Sequence, residues 1–271
     1  MTASSPSEPE RRVVGRLLRD RRAAAALGPL AAPTTASAIE FDCSGLQQVD
    51  GYGAAVIRIA LDSHLGQDPR HQAAIIEPQA SEVWPFLSDA IGRPPTGSRW
   101  AGTRSPAGRG TDVLIPATPV RPDEVQVVVR AVGTVAAALG RGPRPGQLLR
   151  EAAKVFLDNA AAHAAGAPTS PVLCAAFEPV TKNLQLVCVN LAPAGAALPV
   201  SESDLEGMVA DVDQSFRSIA WLARRRRPDL DFSVRIITGV GHVRHRTGRG
   251  WRSSSFERSV PGFIAGIEVH Q

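Results

Sequence analysis

The sequence has little of what marks membrane, secreted or metal-sulfur proteins. No apolar run approaches the roughly 20 residues that a helix needs to span a bilayer, and the opening stretch MTASSPSEPERR lacks the hydrophobic core of a signal peptide. The three cysteines, Cys43, Cys174 and Cys188, stand in apolar surroundings without the spacing of zinc ligands. These absences predict a cytoplasmic protein with no membrane partner, whose cysteines are small buried residues.

Lysine is scarce as well. Lys154 and Lys182 are the only lysines, so arginine carries nearly all of the positive charge behind the net charge of +4. The sequence is also rich in Ala, Gly and Pro, a usage typical of GC-rich bacterial coding sequences, which makes basicity weak evidence for a nucleic-acid partner. The arginine-rich residues 244–252, which include Trp251, keep single-stranded nucleic-acid binding open as a hypothesis.

The order of apolar patterns and breaks favours two α/β domains within the 271 residues. Between them lies a stretch rich in Pro, Gly, Ser and Arg, which is typical of a connector. We therefore predict an N-terminal tail and basic helix at 1–34, a first domain at 35–95, a linker at 96–119 and a second domain at 120–271.

Strand and helix patterns alternate in the first domain. Residues 38–43 and 72–77 are predicted as strands and residues 54–65 and 81–90 as helices, with Ser81 as an N-cap. Ahead of them, residues 11–27 predict a basic amphipathic helix or a helix with a strand.

The turn before the first of these helices reads Asp50, Gly51, Tyr52, Gly53. Together with the strand and helix order, it resembles STAS domains, the fold of anti-sigma-factor antagonists, in which an Asp-Ser-Ser-Gly turn opens a helix. Gly51 stands where the resemblance places the phosphorylated serine, and glycine has no hydroxyl. The resemblance implies that Asp50, Gly51 and Tyr52 form an exposed surface for a protein partner, with Tyr52 as an anchor or as a half-buried residue at the helix start.

The second domain contains one strongly periodic helix, predicted at residues 147–165, whose polar edge carries Asp158, Asn159 and His163. The segment FLDNAAAHA resembles the asparagine-bearing helix of the GHKL ATPases, the superfamily of histidine kinases and anti-sigma kinases. In that family the asparagine holds the magnesium ion that bridges the nucleotide phosphates. The resemblance therefore implies a magnesium contact at Asn159 and a site for ATP, while a purely structural helix edge is the alternative.

Two further positions bear on this resemblance. The residue one helical turn before Asn159 is Val155, which cannot accept a proton, so no catalytic residue is predicted. The strand predicted to end at Asn190 continues as NLAPAG, where the family has Asp-x-Gly-x-Gly against the adenine. The resemblance implies weakened ATP contacts from Asn190 and Gly195, besides Asp158, Asn159 and His163.

The predicted helical region 201–227 ends in four consecutive arginines, which suit a helix C-terminus or bind a phosphate or an acidic partner: Arg224, Arg225, Arg226 and Arg227. After it, we expect a strand, a long Gly and Arg turn and a final strand, with His242 and His245 as exposed loop residues rather than a metal site.

The leading hypothesis is a regulatory or scaffold protein that acts through protein contacts and carries a degenerate ATP-binding fold, that is, a pseudo-ATPase. Two alternatives stay open: a weak ATPase or protein kinase of the anti-sigma or histidine-kinase type, and a nucleic-acid-binding accessory protein. The pattern identifies no particular protein partner, and it is compatible with a homo-oligomer.

Overall fold

The computed structural model describes residues 8–92, 112–136, 143–163, 166–178, 183–192, 231–237, 241–246, 250–255 and 261–270. These residues form five helices and three sheets, which confirms the predicted α/β class. Gly195, the four arginines 224–227 and the helix predicted at 201–227 lie outside the described residues.

The first half of the chain alternates strands and helices, as its sequence pattern predicts. Its elements are β1 (Glu10–Val13), β2 (Leu17–Leu18), α1 (Asp20–Ala31), β3 (Ala38–Asp42), β4 (Gln48–Val49), α2 (Gly51–Leu65), β5 (Gln72–Ile76) and α3 (Val83–Ile91). Strands β1, β3 and β5 form a parallel sheet in that order, and β2 pairs with β4.

Several boundaries in this half differ from the predictions. Residues 10–18 form two strands, and the helix that follows continues through Pro29. Helix α2 begins at residue 51 rather than 54 because Asp50 caps it. Helix α3 begins at Val83 after Glu82, so Ser81 is not its N-cap.

The second half forms one large antiparallel sheet with two helices. Its elements are β6 (Asp112–Pro119), α4 (Val125–Ala136), α5 (Pro143–His163), β7 (Val172–Glu178), β8 (Asn183–Leu191), β9 (Asp231–Ile237), β10 (Gly241–Arg246), β11 (Gly250–Ser255) and β12 (Gly262–His270). The seven strands follow the order β11-β10-β9-β12-β8-β7-β6. The apolar runs at 172–178 and 184–190, joined by the turn PVTKN, predict a hairpin, and β7 and β8 do pair antiparallel.

Two predictions for this half are wrong. Residues 112–119 were assigned to the linker with a short strand expected at 112–115; the strand exists, but it is longer and belongs to the large sheet as β6, because it pairs with β7. The expected turn between β9 and the last strand contains a hairpin, β10 and β11, so His242 and His245 lie on a strand.

Both faces of the large sheet carry apolar clusters. On strand β8, Leu184, Leu186 and Cys188 belong to the cluster that includes α4 and α5. The alternating residues Val187 and Val189 belong to the cluster that includes α2 and the first half of the chain. The two halves of the chain therefore share a hydrophobic core across this second face.

Of the helices described here, none combines the length and the apolar composition that crossing a membrane requires.

Candidate functional site

The start of helix α2 is a capped turn held against the small β2–β4 pair. The Asp50 side chain accepts a hydrogen bond from the Gly53 N–H at 3.1 Å, which satisfies one of the free donors at a helix start. A Cβ at position 53 would lie 2.2 Å from the Leu18 carbonyl oxygen. Glycine at position 53 therefore allows the helix start to approach the neighbouring backbone closely.

Gly51 brings the same turn into contact with the large sheet. Its N–H donates to Oε1 of Gln185 on β8 at 3.1 Å, and both residues are buried. A Cβ at position 51 would lie 3.3 Å from that oxygen and 3.8 Å from the Ala176 Cβ on β7. The start of α2 is therefore seated directly on strands β7 and β8.

Tyr52 fills the space between α2 and strand β12. Its side chain is fully buried, and a Cβ at Gly266 would lie 2.1 Å from the Tyr52 Oη. The prediction that Asp50, Gly51 and Tyr52 form an exposed turn is therefore wrong, because the large sheet of the same chain covers them.

A chain of buried polar residues continues from Gln185 across the sheet. Gln185 and Glu268 are directly opposite each other on β8 and β12, and the Gln185 Nε2 lies 3.5 Å from the Glu268 Oε1. The second Glu268 oxygen lies 3.8 Å from the Arg235 Nη2 on β9. Because the Gly51 N–H can only donate, the Gln185 amide turns its oxygen toward Gly51 and its nitrogen toward Glu268.

These polar residues were missed in the sequence, although a signal for them exists. Gln185 interrupts the apolar run of β8, and Glu268 interrupts that of β12. A single polar residue in an otherwise apolar strand needs a partner when buried. The sequence does not say that the partner of Gln185 is a backbone N–H located 134 residues away.

Further along α2, a buried ion pair connects it to α3. The Arg58 Nε lies 3.0 and 2.9 Å from the two Asp62 oxygens, and its Nη1 donates to the Ile91 carbonyl at 2.7 Å. Burial raises the pKa of Asp62, while the Arg58 charge acts in the opposite direction. The pair ties the middle of α2 to the end of α3.

The predicted nucleotide-contact residues lie on the other side of the sheet. Asn159 is half-buried on α5, and Asn190 follows the alternation of Leu186 and Cys188 onto the face that α5 covers. Asn190 is 2% exposed, and its Oδ1 accepts no hydrogen bond from the residues that the structure describes.

The remaining residues of α5 that were predicted to contact a nucleotide differ in exposure. Asp158 is exposed, and its Oδ2 accepts from the Lys154 Nζ at 2.6 Å. Val155, one helical turn before Asn159, is half-buried. His163 is the last residue of α5, and its side chain lies outside the described part of the chain.

A separate cavity of about 450 Å³ lies between α4, α5 and the segment that precedes β7. Its lining is mostly apolar and includes Val125, Leu157, Ala161 and Pro168. Thr169 also lines it, and its buried Oγ1 bonds no described residue. Asn159 and Asn190 are not among the lining residues.

The cysteines supply no reactive thiolate. Cys43, Cys174 and Cys188 are free and buried, as the sequence predicts. Burial raises the pKa of each thiol to about 12, so all three are protonated at neutral pH. Within the described ranges, no three His, Cys, Asp or Glu side chains form a group that could hold a metal ion.

Comparison with known proteins yielded no match: none was found with a protein-family model, a curated protein or a solved structure.

Proposed function

We propose that this chain is a regulatory or scaffold protein that acts through protein contacts, and that its first half is a built-in partner for a degenerate nucleotide-binding fold. The observation that carries this proposal is the contact of the Gly51 N–H with Gln185, which seats the start of α2 on the large sheet. In the STAS and GHKL families that the chain resembles, the antagonist and the kinase are separate proteins that bind each other. Here the corresponding halves share a buried core, which supports a fixed intramolecular pair.

The residues available for catalysis support a pseudo-ATPase. Val155 offers no proton acceptor at the base position of the resembled family, and the Asp158 carboxylate is engaged by Lys154. Gly51 offers no hydroxyl to phosphorylate and is buried. An enzyme of this family would need a general base and an accessible acceptor, and these three residues provide neither.

Binding of ATP with magnesium, with or without slow hydrolysis or phosphoryl transfer, is the second candidate function. The observation in its favour is the buried Oδ1 of Asn190, which has no partner among the described residues and stands where the resembled family contacts adenine. An unpaired buried acceptor costs about 1–3 kcal/mol, so a ligand that donates to it gains that amount. In this alternative Asn159 holds the magnesium ion, and Glu151 or Asp158 takes the role of the base.

Nucleic-acid binding is supported by one feature of the sheet. Arg244 on β10 stands directly opposite Arg252 on β11 and Arg235 on β9. Arginine positions on three neighbouring strands are compatible with an anionic partner such as a nucleic-acid backbone. Binding of a labelled single-stranded oligonucleotide that weakens steeply with salt would support this function, and absence of binding at low salt would remove it.

The proposal is tested by measuring ATP binding and turnover with the full chain. Calorimetry and a phosphate-release assay are run with magnesium on the wild type, on Asn159→Ala and on Val155→Glu, which restores the missing base. We expect no turnover by the wild type. Turnover that Asn159→Ala abolishes would overturn the pseudo-ATPase assignment and favour the kinase alternative. Binding without turnover is compatible with the proposal and establishes ATP as a regulatory ligand.

A further inference from the structure

We propose that the C-terminal end of helix α2 is an acid-sensitive latch, in which protonation of His64 loosens the packing of this end of α2 against β5. His64 lies in the last turn of α2 and is 2% exposed. The ring has no role in the contact with the large sheet, which is made at the other end of the same helix.

Two imidazole rings join the end of α2 to the start of β5. The His64 Nε2 lies 3.1 Å from the Gln72 carbonyl oxygen, and the His71 Nδ1 lies 3.1 Å from the His64 carbonyl oxygen. Since a carbonyl can only accept, each of these ring nitrogens carries the hydrogen and donates it. The rings stack with centroids 4.6 Å apart and an angle of 14° between their planes.

A buried guanidinium lies close to this pair. Arg12 on β1 is 7% exposed, and its Nε donates to Glu10 at 2.9 Å while its Nη1 donates to the Leu30 carbonyl of α1 at 2.5 Å. Within the described residues, the Arg12 Nη2 and the His64 Nδ1 have no hydrogen-bond partner. The region around His64 therefore combines a guanidinium and two imidazoles, and Glu10 is the carboxylate that lies near them.

The charges around His64 disfavour its cationic form. The ionisable groups that act on it are Glu10 and Arg12 from β1 and His71 from the turn before β5, and Glu10 alone favours the cation. Burial is the main cause that lowers the pKa of His64, followed by His71. The hydrogen bond from Thr34 lowers the pKa of Glu10, so this carboxylate remains charged as the pH falls toward 6. On α2 itself, Asp62 is engaged by Arg58.

The direction of the pH effect follows from these charges. Because the folded state lowers the pKa of His64 below its unfolded value of about 6.5, the folded chain favours the neutral ring. The stability that this gives is complete above the unfolded pKa and is lost as the pH falls below it. A proton on Nδ1 would also add a buried donor beside Arg12 with no acceptor to receive it.

The first test is a pH titration of the His64 ring in the folded full chain. The titration is monitored by NMR of the imidazole carbons, and His64→Gln assigns the His64 signals. We expect His64 to titrate below about 6.5, with the ring still neutral where exposed histidines are half-protonated. Titration of His64 at or above that value would overturn the proposal. This measurement needs no stability assay and does not depend on the proposed function.

The second test compares urea unfolding between about pH 8 and about pH 5 for the wild type, His64→Phe and His270→Gln. Phe keeps a flat ring for stacking on His71 but cannot be protonated. We expect the urea midpoint of the wild type and of His270→Gln to fall as the pH is lowered, and that of His64→Phe to fall much less. A midpoint that falls equally in all three proteins would overturn the latch. If His64→Phe does not fold, the ring titration decides.

Discussion

Gly51 determines how closely the start of helix α2 approaches the large sheet. Glycine at position 51 carries no hydroxyl and allows the helix start to approach Gln185 and Ala176. The sequence alone shows that the hydroxyl is absent. It cannot predict the burial, because the residues that cover Gly51 come from strands more than 100 residues away, such as Gln185 at a separation of 134.

A charge at position 51 should separate the helix start from the sheet. We expect Gly51→Asp to lower the free energy of unfolding by about 3 kcal/mol or more, because a buried carboxylate there would be unpaired and close to Glu268. Gly51→Ala is the matched control, and its Cβ at 3.3 Å from Gln185 requires only a small shift, with a loss of about 1 kcal/mol or less. Urea unfolding measures both. Equal stability of the two variants would mean that position 51 is open to solvent.

The contact between Tyr52 and Gly266 gives a second prediction at the residue scale. A Cβ at position 266 would lie 2.1 Å from the Tyr52 Oη, so we expect Gly266→Ala to lose about 1–3 kcal/mol. Gly45→Ala, where a Cβ meets nothing within 4 Å, serves as the control and should be nearly neutral. In a Tyr52→Ala background the loss from Gly266→Ala should largely disappear in a double-mutant cycle. Additive losses would show that the two residues do not touch.

At the scale of elements, strongly periodic or apolar segments were predictable. Helix α5 and the β7–β8 hairpin follow from apolar spacing, and both exist with boundaries shifted by a few residues. Strands β10 and β11 were missed because their sequences, GHVRHR and GWRSSS, lack the apolar alternation that marks a strand. The helix predicted within residues 11–27 is found at Asp20–Ala31 and includes Pro29 in its last turn, although proline normally disrupts a helix interior.

The ion pair on α2 gives a prediction at this scale. We expect Arg58→Leu to lose about 3–5 kcal/mol, because the Asp62 carboxylate would remain largely buried without its partner and the Ile91 carbonyl would lose its donor. The double variant Arg58→Leu, Asp62→Leu should be more stable than the single one. The exposed pair of Lys154 and Asp158 is the control, since Lys154→Ala should change stability by less than about 1 kcal/mol. Thermal or urea unfolding distinguishes these cases.

At the scale of the whole molecule, the sequence indicates two α/β halves but not how they meet. In the sequence, Gln185 and Glu268 are single polar residues within apolar strands. Their role at the junction cannot be predicted locally, because Gln185 accepts its hydrogen bond from a residue in the other half of the chain. The proposed nucleotide-binding residues were also only partly predictable. Asn159 lies in a helix that its apolar spacing predicts, whereas the burial of Asn190 depends on the assembled sheet.

The claim that α2 is permanently seated on the large sheet is tested most directly by cross-linking it there. A Cβ at position 51 would lie 3.8 Å from the Ala176 Cβ, within the range of a disulfide. We predict that the double variant Gly51→Cys, Ala176→Cys forms a 51–176 disulfide under mild oxidation, identified by mass spectrometry of the digested chain. Neither single variant should form a cross-link between these two segments. Thiols at 51 and 176 that stay reduced in the folded double variant would contradict the account.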